Sequence, residues 1–574
     1  MNRISVLPPE ISQKIAAGEV IERPVSVVKE LVENALDAGA TEIRIDLQAG
    51  GKKLIRVQDN GQGMNRRDAE LSFVRHSTSK ILKEEDLLGI STLGFRGEAL
   101  PSISAVSRLT LKTSDGLEGP GTQIEREGEN ILGVHEIALP RGTAIEVREL
   151  FFNLPARQKF LRGDQSELGL IVKYLTNVAL AYPHLRLTAA HGSRNLLNCP
   201  PVGSLRERIF ELYGKPLLDR LMEVDYAEGS GRLYGFASLP PYGKPDRSHQ
   251  FFFVNLRPVR DKILASALNQ AYRGLLEKDL SPEGFLFLNL PYEEVDVNVH
   301  PAKSEVRFRY SSSIFQLVLR SVEQARLKVG GIKEIFSSSK SAPEGGGIKE
   351  KTLAKSFQVN EGKALFESAS NLSRGEDSSI SAEWSDRRVL GQYANSYIIA
   401  EDEIDGLLVI DQHNAHERIL YEKYTEIDRR KKWPVKMSLI PLLFELSPSQ
   451  ALCLEGNQEM LHESGYRIEG MGGRSFALRE YPDIFKPEEA LDVFLALLEG
   501  IKEKSGRNKK EKLLATMACK TAIKAGLPLP KEKMDFLVQE LFKTSNPSLC
   551  PHGRPIVIKI TRSQIEKGLK RPIN

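Results

Sequence analysis

The chain has 574 residues, 41% of them hydrophobic and 27% charged, and its 80 basic and 76 acidic residues leave a net charge of +4. This length allows three or four domains with complete cores, and the balanced charge neither indicates nor excludes a nucleic-acid partner. No apolar run approaches the roughly 18 residues of a membrane span. Four scattered cysteines, Cys199, Cys453, Cys519 and Cys550, fit a reducing compartment rather than a disulfide framework. We therefore expect a cytoplasmic protein.

The first element in chain order is a helix in the stretch "VVKELVENALDAGA", with Pro24 suited to its first turn and Gly39 to its C-terminal cap. Its apolar residues form one stripe, and Glu30, Asn34 and Asp37 form a line on the opposite face at i, i+4 and i+7. A solvated surface is the ordinary explanation of such a line. Asn is a poor helix former, however, and no lysine is spaced to pair with Glu30 along it. The line is therefore a candidate functional face.

The helix is followed by two predicted strands, "TEIRIDL" (41–47) and "LIRVQDN" (54–60), separated by the turn "QAGGKK". A helix followed by paired strands favours an α+β fold over a regular βαβ repeat. A second unit is predicted to begin near Leu205 and to contain a strand that runs into a helix over residues 251–268.

Two glycine-rich stretches follow the helix. "QDNGQGM" (58–64) ends a strand and presents Asp59, and "STLGFRGEALPSIS" (91–104) places Gly94 and Gly97 before a predicted helix. Either stretch alone is more often a turn than a ligand site, and no GxxxxGK[ST] loop occurs. Together with the polar line they form a coherent ATP site. It has a carboxylate to activate water, a carboxamide to hold Mg²⁺ and an aspartate for a base edge.

A change in composition separates an N-terminal part of the chain from a C-terminal part. Residues 333–386 are rich in Ser, Gly, Lys and Glu without sustained periodicity, which predicts a flexible linker, with a mobile insertion as the alternative. The predicted domains are residues 1–204, 205–332 and 387–574, on either side of this linker. The last domain opens with a predicted strand, hairpin, strand and helix. The fold class is thus multidomain α+β.

The last domain contains side chains that can bind a metal ion. "VIDQHNAHERILYE" (409–422) places a histidine and a glutamate four residues apart, so they share a face if a helix begins there, and "CPHGRP" (550–555) holds a thiol and an imidazole in a stiff turn. Each feature alone is more often structural. Jointly they suit a mixed zinc or manganese site. The candidate ligands are Asp411, His413, Glu417, Cys519, Cys550 and His552.

The motifs "ELVENALDAGA", "DNGQGM", "RHSTSK", "GFRGEAL" and "RGTAIEV" resemble, in order and spacing, those of the GHKL ATPases. The longer strings "QKIAAGEVIERPVSVVKELVENALDAGA" and "LFFNLPARQKFL" resemble the MutL family of DNA mismatch repair proteins, over essentially the first 330 residues. This resemblance implies a Bergerat-type α/β sandwich and a second subdomain like ribosomal protein S5. It also implies a C-terminal dimerisation domain. The function it implies is that of an ATP-gated homodimer in mismatch repair.

The resemblance also implies roles for single residues. Glu30 would be the general base for ATP hydrolysis, Asn34 the Mg²⁺ ligand and Lys303 the group that reaches the γ-phosphate. Asp59 would accept from the adenine amino group, with Thr143 beside it. The implied ATP-binding residues are Asn34, Asp37, Asp59, Gly63, Met64, Thr78, Gly94, Phe95, Arg96, Gly97 and Thr143.

The DQH stretch resembles the motif DQHAxxExxxxE of those MutL proteins that nick DNA themselves, which would make Asp411 an endonuclease residue. Asp411, Gln412, His413, Glu417 and Glu422 match the motif. Asn414 replaces its alanine, "LKR" (569–571) replaces the usual FKR, and "KMSLIPL" (436–442) lacks the glutamine of the usual clamp-binding segment. A metal-dependent endonuclease is the favoured prediction. An ATP-dependent adaptor whose C-terminal domain only dimerises is the alternative, and a chaperone or topoisomerase subunit is a third class.

Two basic stretches, "PARQKFLRG" (155–163) and "RPVRDK" (257–262), are candidate contacts to the backbone of double-stranded DNA, although basic runs are often only a solvated face. The resemblance singles out Lys159, Arg260 and Lys262 there. It further implies the mismatch-recognition protein MutS as a partner, and the sliding clamp through the altered segment at residues 436–442.

Overall fold

A computed structural model describes residues 21–80, 83, 92–94, 97–117, 119–276, 280–296, 306–330, 387–402, 406–472, 474–502 and 508–569. The predicted linker at 333–386 and three predicted site residues, Phe95, Arg96 and Lys303, lie outside these ranges. The chain divides into two compact units, one of residues 1–342 with 447–452 and the other of residues 343–446 with 453–574.

The first half of the first unit is built on an eight-stranded sheet with the strand order β5-β4-β3-β6-β2-β1-β7-β8. Strand β1 is parallel to β7 and antiparallel to β2. The elements in chain order are α1 (Pro24–Asp37), β1 (Glu42–Gln48), β2 (Leu54–Asp59), α2 (Arg66–Leu71), α3 (Ala99–Ala105), β3 (Arg108–Ser114), β4 (Gly121–Glu127), β5 (Asn130–Ile137), β6 (Gly142–Arg148), α4 (Pro155–Phe160), α5 (Asp164–Ala181), β7 (Arg186–His191) and β8 (Arg194–Cys199).

Helix α1 has the predicted bounds and orientation. Its apolar stripe is buried, with Val28 and Val32 fully enclosed, and the helix packs on β2 and α5. Gly39 has a φ of +70°, and its N–H donates to the carbonyl of Leu36, so it ends the helix in the left-handed conformation that glycine adopts without strain. Because the stripe faces the core, the Glu/Asn/Asp line faces away from it.

The second half of the first unit has a five-stranded sheet with the order β12-β11-β13-β10-β9, covered by α8 and α9, and a two-stranded ribbon of β14 and β15. The elements in chain order are α6 (Leu205–Tyr213), α7 (Lys215–Leu218), β9 (Leu221–Glu228), β10 (Gly231–Ser238), β11 (Gln250–Val254), β12 (Arg257–Val259), α8 (Lys262–Ala271), β13 (Gly284–Asn289), β14 (Val295–Asp296), β15 (Arg307–Phe308) and α9 (Ser311–Gly330).

The predicted strand-then-helix at residues 251–268 is two strands and a helix. Asn255 and Leu256 have φ values of 47° and 65° and form a tight turn between β11 and β12. The Asp261 carboxylate then accepts from the N–H groups of Ile263 and Leu264 and begins α8. The apolar pattern of the segment did not reveal this turn, because neither residue is a glycine.

The second unit combines two antiparallel sheets with helices. A four-stranded sheet in the order β16-β17-β18-β22 packs on α10 and α15, and a three-stranded sheet has the order β19-β21-β20. The elements in chain order are β16 (Val389–Tyr393), β17 (Tyr397–Glu401), β18 (Leu407–Asp411), α10 (Gln412–Arg429), β19 (Val435–Glu445), α11 (Pro448–Glu455), α12 (Gln458–Glu463), β20 (Arg467–Gly472), β21 (Ser475–Pro482), α13 (Pro487–Lys502), α14 (Asn508–Thr521), α15 (Lys531–Lys543), β22 (Val557–Ile560) and α16 (Arg562–Gly568).

The predicted strand, hairpin, strand and helix at the start of the last domain are β16, β17, β18 and α10. Mixed and antiparallel sheets with packed helices in both units confirm the multidomain α+β class. Within the described ranges, no helix is long and apolar enough to cross a membrane.

Candidate nucleotide and metal sites

The polar face of α1 carries a cation and a loop segment. The Asp37 carboxylate accepts from the backbone N–H groups of Leu93 (2.9 Å) and Gly94 (3.0 Å), and its Oδ2 lies 2.6 Å from Nζ of Lys80. The same ammonium donates to Asn34 Oδ1 at 3.0 Å. Two predicted site residues, one turn apart, thus jointly hold one positive charge, as expected of a place that accepts a metal ion or a ligand cation.

Lys80 was missed as a site residue, although it is the last letter of the quoted motif "RHSTSK". Glu30 lies one turn before Asn34 on the same face and is half-buried. Its negative charge contributes, after burial and Glu33, to a pKa of Tyr174 well above the usual range. The structure therefore joins Asn34 and Asp37 through Lys80 and leaves Glu30 beside them without a hydrogen bond among the described residues.

Asp59 and Thr143 lie directly opposite each other in the register of β2 and β6. Burial raises the pKa of the Asp59 carboxyl, and hydrogen bonds from the backbone N–H groups of Gly61 and Thr143 oppose that rise. The bond from Gly61 measures 2.8 Å. Oγ1 of Thr143 lies 3.0 Å from Oγ1 of Thr113. The predicted pairing of Asp59 with Thr143 is thus present, and the carboxylate is fixed in place by backbone groups.

Two of the predicted glycines cannot carry a side chain. Gly63 has a φ of +65°, and a Cβ there would lie 1.8 Å from the carbonyl oxygen of Ser114; Gly97 has a φ of +63°, and a Cβ would lie 2.4 Å from the carbonyl oxygen of Ser77. At Gly94 a Cβ would lie 3.2 Å from Nζ of Lys80, so the backbone closely approaches the cation. These glycines allow the loops to lie directly over their neighbours.

Two further predicted residues on these loops, Met64 and Thr78, are held by hydrogen bonds. Met64 donates its N–H to Oγ1 of Thr113 at 2.9 Å. Thr78 accepts at Oγ1 from the N–H of Lys80 at 3.2 Å. Thr78 therefore helps to place the lysine that bridges Asn34 and Asp37.

A second residue that sequence reasoning missed comes from the other half of the unit. Arg257, on β12, donates from its guanidinium to the carbonyl of Thr92, and it is only 7% exposed. Burial lowers the pKa of Arg257, while the negative charges of Glu33 and Asp37 oppose this effect. Its contact lies 165 positions away in sequence, so no local pattern could have indicated it.

The predicted DNA-binding residues lie on separate exposed elements. Lys159 is on α4, whereas Arg260 and Lys262 flank the start of α8, and all three are exposed. Lys173, on α5, was not predicted. Burial lowers the pKa of Lys173, and the positive charge of Arg260 lowers it further. The positive charge of Arg260 therefore acts on Lys173, and the negative charge of Asp246 opposes it.

In the second unit, β18 delivers Asp411 to the start of α10. Asp411 is the N-cap of that helix: its Oδ1 accepts from the N–H of Asn414 at 2.9 Å. His413, in the first turn, has its Nδ1 2.8 Å from the carbonyl oxygen of Ile523. Because a carbonyl only accepts, Nδ1 is the donor of this bond, and Nε2 is the ring nitrogen left to face a metal ion, as is usual for a metal-binding histidine.

Three of the predicted metal ligands meet at one point. The ligand atoms of Glu417, Cys550 and His552 all lie within 4.8 Å of one another, and Nδ1 of His552 is 2.6 Å from Oε1 of Glu417. Cys519 also approaches Glu417, and burial together with that carboxylate raises the pKa of the Cys519 thiol to about 11. Asp411 and His413 do not belong to this three-residue group.

The donor set fits a transition-metal ion. Glu417 is 2% exposed, and its buried Oε1 has no hydrogen-bond partner of acceptable geometry among the described residues, despite the nearby imidazole. Burial alone would raise the pKa of Glu417, but His552 and Cys550 outweigh it and lower the pKa. The carboxylate with this buried oxygen, the thiol and the imidazole together form a ligand set of the kind that zinc prefers.

Two further side chains of α10 form hydrogen bonds with the loop that carries Cys550 and His552. Nε of Arg418 donates to the carbonyl of Leu549 at 2.7 Å. The Glu422 carboxylate accepts from Ser545 through the N–H (2.9 Å) and the hydroxyl (2.7 Å). The second glutamate of the motif therefore holds the loop in place and is not part of the three-residue group.

Comparisons with known proteins match three parts of the chain to families. Residues 22–126 match the family described as histidine kinase-, DNA gyrase B- and HSP90-like ATPase. Residues 209–327 match the C-terminal domain of DNA mismatch repair proteins, and residues 390–529 match the MutL C-terminal dimerisation domain.

Similar proteins are found over the whole length. The DNA mismatch repair protein MutL of Koribacter versatilis is 39% identical over 647 aligned residues, and that of Caldanaerobacter subterraneus subsp. tengcongensis is 37% identical over 591; each alignment covers 100% of both chains. Among solved structures, the MutL ATPase domain of Aquifex aeolicus complexed with ADP is 32% identical, with a TM-score of 0.38. It covers 52% of this chain and 98% of the solved one.

The fold and the nucleotide face thus define a multidomain protein with a GHKL-type ATPase domain at its N-terminal end and a dimerisation domain at its C-terminal end. The two full-length alignments specify the family further: the chain belongs to the MutL family of DNA mismatch repair proteins.

Proposed function

We propose that this protein is an ATP-dependent dimer that acts after mismatch recognition, hydrolyses ATP slowly and nicks DNA with a metal-dependent C-terminal endonuclease. The observation that carries the nicking activity is the group of Glu417, Cys550 and His552 within 4.8 Å. A domain that only dimerises has no need of a buried carboxylate beside a thiol and an imidazole.

In the ATPase domain, Glu30 acts as the general base that aligns the attacking water, and Asn34 holds Mg²⁺. Asp59 accepts from the adenine amino group, and Lys303 reaches the γ-phosphate. Support comes from Lys80, because its ammonium already bridges Asn34 and Asp37 and so marks that face as one that accepts positive charge. Bound Mg²⁺ would neutralise charge on the phosphates.

In the C-terminal domain, Glu417, Cys519, Cys550, His552 and His413 hold Zn²⁺ or Mn²⁺. Such an ion, when bound, supplies Lewis-acid stabilisation of charge on a phosphodiester. Arg418 and Glu422 keep the ligand loop on α10. Asp411 contributes a carboxylate at the helix start; its Oδ1 caps the helix.

A second copy of the chain covers an apolar sheet face. Across β17, β18 and β22, the residues Ile399, Val409 and Ile558 lie in one row, on the face opposite the buried Ile398 and Ile410. Ile558 is 61% exposed, and Tyr393 and Tyr397 extend the same face. Large exposed apolar faces of this kind are typical of protein interfaces. This face belongs to the domain that matches a dimerisation family over residues 390–529.

The proposed partners are double-stranded DNA, MutS and the sliding clamp, and the proposed location is the cytoplasm. Lys159, Arg260 and Lys262 contact the DNA backbone, with Lys173 adding charge beside Arg260. The clamp segment at residues 436–442 lies within β19, where Ile440 is 81% exposed.

The test is nicking of supercoiled circular DNA with Mn²⁺. Wild type is expected to convert it to open circles, and Glu417→Gln and Asp411→Asn are expected to abolish the reaction. Asn is as good an N-cap as Asp, so the second variant removes the charge and keeps the helix start. Glu426→Gln, on the exposed side of the same helix, is the matched control. Intact ATP hydrolysis with no wild-type nicking would leave the adaptor function as the correct one.

A further inference from the structure

The segment Thr92–Gly94 is held from both halves of the first unit. From the first half, the Asp37 carboxylate accepts the N–H groups of Leu93 and Gly94. From the second half, the Arg257 guanidinium binds the carbonyl of Thr92. Within the segment, Oγ1 of Thr92 donates to the carbonyl of Gly94 at 2.8 Å, so the three residues form one closed turn.

This turn adjoins the proposed nucleotide face on one side and the second subdomain on the other. Asp37 and Asn34, the proposed Mg²⁺ ligand, both accept from the ammonium of Lys80. A cation bound at Asn34 therefore acts directly on Asp37. Asp37 in turn fixes the two amides that follow Thr92. Arg257 stands on β12, an edge strand of the five-stranded sheet. A continuous chain of polar contacts therefore runs from Asn34 to the second subdomain.

We propose that Arg257 is a positioning residue that couples the second subdomain to the nucleotide site through the turn Thr92–Gly94. The inference rests on the proposed ATP site and names a residue outside it. Nucleotide that alters the contacts of Lys80 with Asn34 and Asp37 changes the anchor of the turn. Arg257 passes that change to β12, because its buried guanidinium joins that strand to the carbonyl of Thr92.

The alternative role of Arg257 is purely structural, as a buried cation that holds the two halves together. The two roles make different predictions. Replacement of a purely structural residue would destabilise both halves of the first unit, with no larger effect on the turn Thr92–Gly94 than elsewhere. A coupling residue alters the amides of Leu93 and Gly94 first, since these lie between its own contact and Asp37.

The experiment is hydrogen exchange with site resolution on the full chain, with and without ADP and Mg²⁺, for wild type, Arg257→Gln and Arg257→Lys. Loss of a hydrogen bond from a charged donor predicts exchange at Leu93 and Gly94 about tenfold faster in Arg257→Gln, measured without nucleotide. Arg257→Lys retains the charge and is expected to recover part of the protection. Arg232→Gln, which breaks the exposed pair with Asp225 in the same subdomain, is the matched control.

In wild type, nucleotide is expected to change the exchange of amides in β12, and this response is expected to disappear in Arg257→Gln. Unchanged exchange at Leu93 and Gly94 in that variant would overturn the proposal. So would faster exchange that is uniform over the five-stranded sheet. A wild type that binds no nucleotide would count against the proposed ATP site, while the comparison without nucleotide would still test the contact itself.

Discussion

Nζ of Lys80 lies 2.6 Å from Oδ2 of Asp37, and it reaches Asn34, on the same helix as Asp37, across 46 positions of the sequence. The Asp37 side chain is 8% exposed and that of Lys80 21%. A partly buried pair of this kind is costly to break, because removal of one partner leaves the other charge with little water.

Lys80→Met is therefore expected to weaken ATP binding and to destabilise the first unit by about 1–2 kcal/mol, a value below that of a fully buried pair because the ammonium is partly exposed. Isothermal calorimetry with ATP and urea unfolding measure the two effects. Lys52→Met is the control, since Lys52 pairs at 2.7 Å with an Asp164 side chain that is 50% exposed. Equal effects of the two variants would contradict the assigned role of Lys80.

The carboxyl of Asp59 makes nucleotide affinity sensitive to acid. Burial raises its pKa above 3.8, against two backbone N–H bonds. In the proposed ATP site the adenine amino group would donate a hydrogen bond to Asp59, so binding would favour the ionised carboxylate. Affinity is thus constant well above the pKa of the free protein and falls as the pH drops through it. Titration calorimetry from about pH 8 downwards should show the affinity falling on the acid side.

Asp59→Asn removes the titrating group, so its affinity, although lower, should not depend on pH in that range. An acid loss of equal size in wild type and Asp59→Asn would assign the titration to another group.

Features of the fold and site that depend on neighbouring residues could be predicted from the sequence, whereas contacts between distant residues could not. The bounds of α1 and its polar line were predicted because helical periodicity, Pro24 and Gly39 are local signals. The meeting of Glu417 with Cys550 and His552 was expected only as a shared metal site, since the two segments are over 130 residues apart. Spacing alone could not show that they meet.

Other features depend on contacts that no local pattern encodes. Arg257 contacts Thr92 across 165 positions. Glu422 has a different role from Glu417 because Ser545 lies beside Glu422. Asp411 was predicted as a metal ligand, and the structure gives its Oδ1 a further role as the N-cap of α10. The capping role depends on where the helix begins to within one residue, a boundary that sequence patterns place poorly.

Glu422 provides a test of the loop attachment. Glu422→Ala removes the acceptor for both the N–H and the hydroxyl of Ser545, so the loop with Cys550 and His552 should lose its fixed position. We expect Zn²⁺ affinity, measured by competition with a chromogenic chelator, to fall about 10- to 100-fold. Glu422→Gln keeps one acceptor oxygen and should lose less.

Glu540→Ala, at an exposed pair with Lys543, is the control for Glu422→Ala. An unchanged Zn²⁺ affinity in Glu422→Ala would show that the loop holds its ligands without this attachment.

The outer face of the four-stranded sheet predicts the site of dimerisation. Ile558 pairs with Val409 in the register of β22 and β18, and Val409 with Ile399, so a lysine at position 558 would place a charge at the exposed end of the apolar row, on the edge strand β22. Burial of an unpaired ammonium against a second copy costs several kcal/mol, enough to dissociate a dimer of ordinary affinity at micromolar concentration. Sedimentation velocity should therefore show a monomer for Ile558→Lys and a dimer for wild type.

Met471→Lys is the matched control, because Met471 is a comparably exposed apolar residue, at 57%, on β20 of the other sheet. Met471→Lys should remain a dimer. In both variants each subunit should stay folded, because neither side chain is in a core. A dimer that persists in Ile558→Lys but dissociates in Met471→Lys would move the interface to the three-stranded sheet. In that case the row of Ile399, Val409 and Ile558 would need a different partner.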